Sequence, residues 1–406
     1  MNPAVGFLAR ETGKYFELRH SITAIALGGF TSLLAGVILG FTNEIFLAIP
    51  GLLILLPTSL GMRGNIFATL ASRLGSALHM GTLKKMGADD NILTANVLAA
   101  FSLSIVLSVY LGFVSKGMTF VFNLPAMPLV QFISISVLAA VISSIFLMAT
   151  TVWISFYSYK KGWDPDNVTS PIITAVGDFF TTPSLLAAAI FIRRLPDYAD
   201  ILAYMSIAVS LIIVYTVIFP SDSRYRRILM ESMPVLAVSG GISGLAGLIL
   251  ESYIHNLVSI PLVLIFLPSF METTGNLTNI LAARVSSKLH LGTMDATLSL
   301  TRVKKEELFN SMRIAYPSFP VIGALAALIG GALGIGGLSF VQMLQLSLLS
   351  GIVIHFFLLL MAMAVSVYSF RMNIDPDNVT IPIMTSIADV MSVLVLVTMM
   401  NILGFV

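Results

Sequence analysis

The chain has 406 residues, of which 57% are hydrophobic and 10% charged, with a formal net charge of +2 and a mean hydropathy of +0.95. A soluble domain carries about 25% charged residues, so this composition excludes a water-soluble globular protein and predicts an all-α integral membrane protein. The absence of cysteine excludes disulfides, thiolate metal sites and thiol catalysis. The basic residues lie in short loops, so they imply no nucleic-acid partner.

Residues 1–20 hold Arg10, Lys14 and Arg19 and read as a polar lead-in. The apolar run at 22–41 is long and lacks a small-residue cleavage pattern, so it reads as a retained span. Hydropathy predicts membrane helices at 22–42, 46–78, 92–115, 128–159 and 166–192, then a single helix at 199–219. Five more follow at 233–251, 257–289, 308–334, 338–370 and 378–404. In this eleven-span layout, 18 of the 22 Lys and Arg residues fall on the side of the N-terminus. Lys116, Arg193 and Arg194 fall on the other side, and Arg63 lies within a span. That bias predicts a cytoplasmic N-terminus and an external C-terminus.

One fifteen-residue stretch occurs twice. DPDNVTSPIITAVGD at 164–178 returns as DPDNVTIPIMTSIAD at 375–389, with ten identical positions and an offset of 211. Residues 57–82 and 268–293 align at the same offset with 11 of 26 positions identical, among them Asn65/Asn276, Arg73/Arg284 and His79/His290. The first five and last five helices therefore form two units. Five is an odd number, so the linking helix restores orientation, and the halves are expected to be parallel repeats with a site at their shared interface.

Asp178 stands about 18 Å along a helix that starts near Asp166, a candidate N-cap, with Pro171 in the first turn. That is near mid-depth of a ~30 Å hydrocarbon core, where an ionised Asp costs at least ~2.5–3.5 kcal/mol. Asp389 takes the same place in the second unit. A divalent cation between the two carboxylates would remove their mutual repulsion. Thr174 and Thr385 lie one turn earlier on the same helix faces, and Asn65 and Asn276 follow glycines in the second helix of each unit. Asp164, Asp166, Asp375 and Asp377 can gather cations at the cytoplasmic mouth. Carboxylate, amide, hydroxyl and carbonyl donors favour Mg²⁺, Ca²⁺ or Mn²⁺ over Zn²⁺ or Cu²⁺, with a partly hydrated Mg²⁺ fitting best. The competing readings are helix–helix hydrogen bonding for the Asp and Asn pairs, and ordinary turn chemistry for the DPDN segments. Arg63 and Glu272 break the repeat, their counterparts being Thr274 and Gly61. Since a lone charge in a span is costly, the two are expected to pair across the interface.

These motifs, PTSLGMRGN…R…HMGT, PSFMETTGN…R…HLGT and the two DPDN…P…T…D stretches, resemble those of the MgtE and solute carrier family 41 group of Mg²⁺ transporters and channels. The resemblance covers nearly the whole chain. It implies two fused five-helix units standing in for a homodimer, so that a monomer suffices. It also implies a central pore with an ion site formed by the helix-five Asp of each half. That role falls on Asp178 and Asp389, with carbonyls near Thr174 and Thr385, Asn65 and Asn276 close by, and Asp164 and Asp375 at the mouth. The chain departs from MgtE in lacking its large cytoplasmic N-terminal and CBS domains, and Arg63 is unexpected in a cation path.

The sequence thus predicts a first repeat at 1–195, a linking helix at 196–222 and a second repeat at 223–406. The expected function is transport of divalent cations, foremost Mg²⁺, across the plasma membrane; Mg²⁺ is cargo, and no cofactor is implied. No GxxxxGK[ST] motif occurs, which argues against ATP-driven pumping. The rival readings are an ion-coupled carrier of a small organic solute and an intramembrane aspartyl enzyme.

Overall fold

The computed structural model describes residues 25–26, 28–83, 91–162, 169–219, 223–297, 301–372 and 381–405. Among these, all regular structure is helical. The first half holds α1 (Gly28–Phe41), α2 (Asn43–Ala48), α3 (Leu52–His79), α4 (Asn91–Val121), α5 (Leu129–Lys161) and α6 (Ser170–Arg194). A joining helix, α7 (Asp197–Ile218), leads to α8 (Arg224–Ser252), α9 (Ile254–Ser259), α10 (Pro261–His290), α11 (Arg302–Ala332), α12 (Phe340–Arg371) and α13 (Ile381–Ile402). Nine of these helices are long and apolar enough to cross a membrane, among the described residues. The predicted spans at 22–42 and 257–289 are not among the nine. α1 is described only over Gly28–Phe41, and α10 is long enough but carries Glu272, Asn276 and Asn279.

The single helices predicted at 46–78 and 257–289 are each broken near their start. α2 stops before Ile49 (φ −132°, ψ 87°) and α9 before Ile260 (φ −125°, ψ 72°). Both isoleucines precede a proline, Pro50 and Pro261, whose ring crowds the preceding residue out of the helical region. The two breaks lie 211 residues apart, as do α2 and α9. Asn43 Nδ2 donates to the Val258 carbonyl (3.2 Å), joining the short helices. The restarts differ between the halves. α10 opens on Pro261, which has no N–H to satisfy. α3 opens after Gly51, whose φ of +88° suits glycine. Its first N–H groups are satisfied by buried Glu251 of α8, which accepts from Gly51 N (2.6 Å) and Leu53 N (3.2 Å). A carboxylate there also meets the positive end of the helix.

The first helix of each half packs on the second helix of the other. α8 lies against α3 and α4 as well as its own α13. α1 crosses α10, where the Ser269 hydroxyl donates to the Gly29 carbonyl (2.8 Å). Both crossings are backbone to backbone. A Cβ on Gly36 would overlap the Ile265 carbonyl, and one on Gly247 would overlap that of Ile54. These two contacts are again 211 residues apart in both partners, so one close approach is used twice. Small residues permit such approach where the hydrophobic effect does not drive helices together. α7 packs on α4 and α5, with Ser134 Oγ donating to the Ala199 carbonyl (2.6 Å). Only 11% of its apolar stretch is buried, which leaves most of its surface for lipid.

Gly36→Leu and Gly247→Leu should each push the halves apart and abolish a monodisperse size-exclusion peak in mild detergent. Gly117→Ala, where a Cβ meets nothing within 4 Å, should leave the peak unchanged.

Candidate functional site

The crossing of first helices brings α3, α6, α10 and α13 around one polar cavity of about 70 Å³, room for a few water molecules. Six of the eight residues expected at the site line it: Asp178 and Thr174 from α6, Asp389 and Thr385 from α13, Asn65 from α3 and Asn276 from α10. Asp164 and Asp375, like Asp166 and Asp377, lie outside the described residues. α6 starts at Ser170 with Pro171 in its first turn. In the second half the carbonyl of Pro382, the counterpart of Pro171, accepts from Ser239 and Ser386 (3.1 Å each).

Each aspartate is buried and held by one serine of its own half's first helix. Ser32 Oγ donates to Asp178 Oδ2 (2.8 Å), and Ser243 Oγ donates to Asp389 Oδ2 (3.0 Å). The serines themselves stand 211 residues apart, so carboxylate and donor repeat together. Sequence reasoning missed this pair. The signal was present: SLLAGVIL at 32–39 and SGLAGLIL at 243–250 share six of eight positions at the offset of 211. Asn279 was also missed: it exchanges hydrogen bonds with Thr385 Oγ1 (3.0 and 3.3 Å) and lines the cavity. Its counterpart is Ala68, which leaves the first half without that contact.

Glu272 is a third carboxyl on the cavity wall. The expected pairing of Glu272 with Arg63 does not occur. Arg63 is buried and points to α4, where Nη2 donates to Ser108 Oγ (2.6 Å), while Glu272 Oε1 accepts from Asn276 Nδ2 (2.9 Å). The two share a level along their helices but face different neighbours. Among the described residues the ion pair present is Lys288–Glu307, at 2.5 Å.

Among the described residues no three Asp, Glu, His or Cys side chains converge tightly enough to hold a bare metal ion. The wall instead offers separated carboxylates, amides and hydroxyls around a water-sized space, which suits a cation that keeps part of its hydration shell.

Fold and cavity together define a multi-pass all-α membrane protein whose two like halves enclose a carboxylate-lined cavity. The chain belongs to the MgtE family of divalent cation transporters; the family model matches residues 56–188 and 267–399, two segments again 211 apart. This is a transporter family, not an enzyme family. Among relatives, solute carrier family 41 member 2 of Homo sapiens is 28% identical over 289 residues, covering 67% of this chain and 48% of that protein. Member 3 of Rattus norvegicus is 24% identical over 394 residues, covering 90% of this chain and 83% of that protein. The chain spans about half the length of the member 2 relatives it matches. No solved structure matches the chain.

Ser32→Ala and Ser243→Ala should each cost about 1–3 kcal/mol, the price of a buried charged or polar group left without its donor. Both should lower the thermal unfolding midpoint in detergent by similar amounts, because the two bonds are repeats of one another. A clear difference between them would show that the aspartates occupy unlike surroundings.

Proposed function

We propose that the chain moves divalent cations, foremost Mg²⁺, through the cavity between its halves, with the ion held by Asp178 and Asp389. The observation that carries this reading is the convergence of both aspartates, both threonines and both asparagines around one cavity. Two carboxylates in a low-dielectric interior repel one another, and a doubly charged ion between them offsets both charges. Thr174, Thr385, Asn65 and Asn276 then supply oxygens to the ion or its waters, and Asp164 and Asp375 gather cations at the cytoplasmic mouth.

In this reading residues 1–195 and 223–406 are parallel repeats and 196–222 links them. The chain crosses the plasma membrane eleven times, N-terminus inside and C-terminus outside, as the basic loops favour. α1 and α10 complete the spans, and a monomer suffices because the halves already supply both aspartates. An organic-solute carrier is less well supported: pockets for such ligands run to about 300–1,000 Å³, against about 70 Å³ for this cavity.

Purified protein in liposomes loaded with a Mg²⁺-sensitive dye tests the reading. Asp178→Asn and Asp389→Asn should each reduce Mg²⁺ uptake by about tenfold or more, the loss of one tightly coupled charge contact. Wild-type uptake by both variants would remove the aspartates from the ion path.

A further inference from the structure

The two halves hold their cavity asparagines by different means. Asn65 Nδ2 donates to the Ser239 hydroxyl of the crossing helix α8 (3.1 Å). Asn276 Nδ2 donates instead to the Glu272 carboxylate, one turn earlier on its own helix (2.9 Å). At the repeat offset of 211, Ser239 corresponds to Gly28 and Glu272 to Gly61. Each asparagine therefore has one holder and one glycine beside it, with the two positions exchanged: Ser239 from the crossing helix and Gly61 on its own helix for Asn65, Gly28 from the crossing helix and Glu272 on its own helix for Asn276.

Both glycines stand where a side chain would crowd polar groups of the cavity wall. A Cβ at Gly28 would stand 3.2 Å from Asn276 Nδ2 and 3.6 Å from Glu272 Oε1, so glycine there leaves the space that Glu272 and Asn276 share. A Cβ at Gly61 would stand 3.2 Å from Asp389 Oδ2 and 3.4 Å from Ser243 Oγ, so a glutamate there would drive its carboxylate toward Asp389. Orienting an asparagine needs only a hydroxyl, as Asn65 with Ser239 demonstrates. A buried carboxylate costs far more to desolvate than a hydroxyl. Arg63 does not offset that cost by contact, since its guanidinium is bonded to Ser108.

We propose that Glu272 is a specificity-determining residue of the cavity: its charge, supplied by one half only, sets the preference for doubly over singly charged cations. A carboxylate at a given distance attracts a divalent ion with twice the Coulomb energy it offers a monovalent one. Three carboxylates around one space therefore widen the gap that two would give. The lone third charge also makes the nearly symmetric site polar, drawing the ion toward α10.

This inference rests on the reading of the cavity as the ion path, and the test separates the two. Mg²⁺ uptake into proteoliposomes is measured across Mg²⁺ concentrations, with and without Na⁺ as competitor, for wild type, E272Q, the double variant G28S/E272G and D178N. E272Q keeps an acceptor for Asn276 and removes the charge. G28S/E272G rebuilds around Asn276 the neutral arrangement found around Asn65. Both should raise the half-saturating Mg²⁺ concentration about tenfold and make uptake sensitive to Na⁺, while D178N loses uptake. Wild-type half-saturation and Na⁺ insensitivity in G28S/E272G would overturn the proposal, because Glu272 would then serve only to hold Asn276. The same wild-type behaviour in E272Q would overturn it as well. Full uptake by D178N would instead overturn the underlying reading of the cavity.

Discussion

A carboxylate buried among membrane helices must be answered by a neighbouring group, and here the answering group arrives on a helix shared between the halves. α1 and α8 each carry the serine that bonds the aspartate of their own half, yet each lies on the second helix of the opposite half. The glycine crossings at Gly36–Ile265 and Gly247–Ile54 set how closely these helices approach. The position of each aspartate therefore depends on the packing of both halves. A cavity at the interface follows from that dependence, because the crossing helices bring α3 and α10 beside α6 and α13.

Near-symmetry is closer in the backbone than in the side chains. The helix breaks, glycine crossings and serine–aspartate bonds all recur at one offset. The charges do not. Glu251 caps α3 where the other half has Gly40, Glu272 enters the cavity where the other has Gly61, and Arg63 is buried against α4 where the other has Thr274. A homodimer would carry every such charge twice. Once the two halves are encoded in one chain, each can change separately, and a single extra carboxylate can enter the cavity without a second one opposing it.

Much of the fold was legible from residue pattern, and the parts that were not have physical reasons. Long apolar stretches marked the helices, since the membrane requires each to satisfy its own backbone. Pro50 and Pro261 marked the breaks after Ile49 and Ile260, but apolar residues run straight through them, and hydropathy does not register backbone dihedrals. The linker parity argued for parallel halves, but nothing in linear order indicated that first helices would pack on the opposite half. The pairing expected for Arg63 and Glu272 failed on rotation about the helix: similar depth does not imply a shared face. Arg63 looks toward Ser108 and Glu272 toward Asn276.

What the amino-acid order determined by itself was local and periodic: helical membrane segments from apolar length, duplication from the offset of 211, and acidic, amide and hydroxyl side chains recurring at matched places. Only tertiary packing decided which of those groups share a space. The serine donors, Asn279 and the exchanged Gly28/Glu272 and Gly61/Ser239 positions depend on crossing angles and backbone approach between segments far apart in the chain. Contacts of that kind are set by which helix faces fit together in three dimensions, and a pattern read along one helix at a time does not contain them.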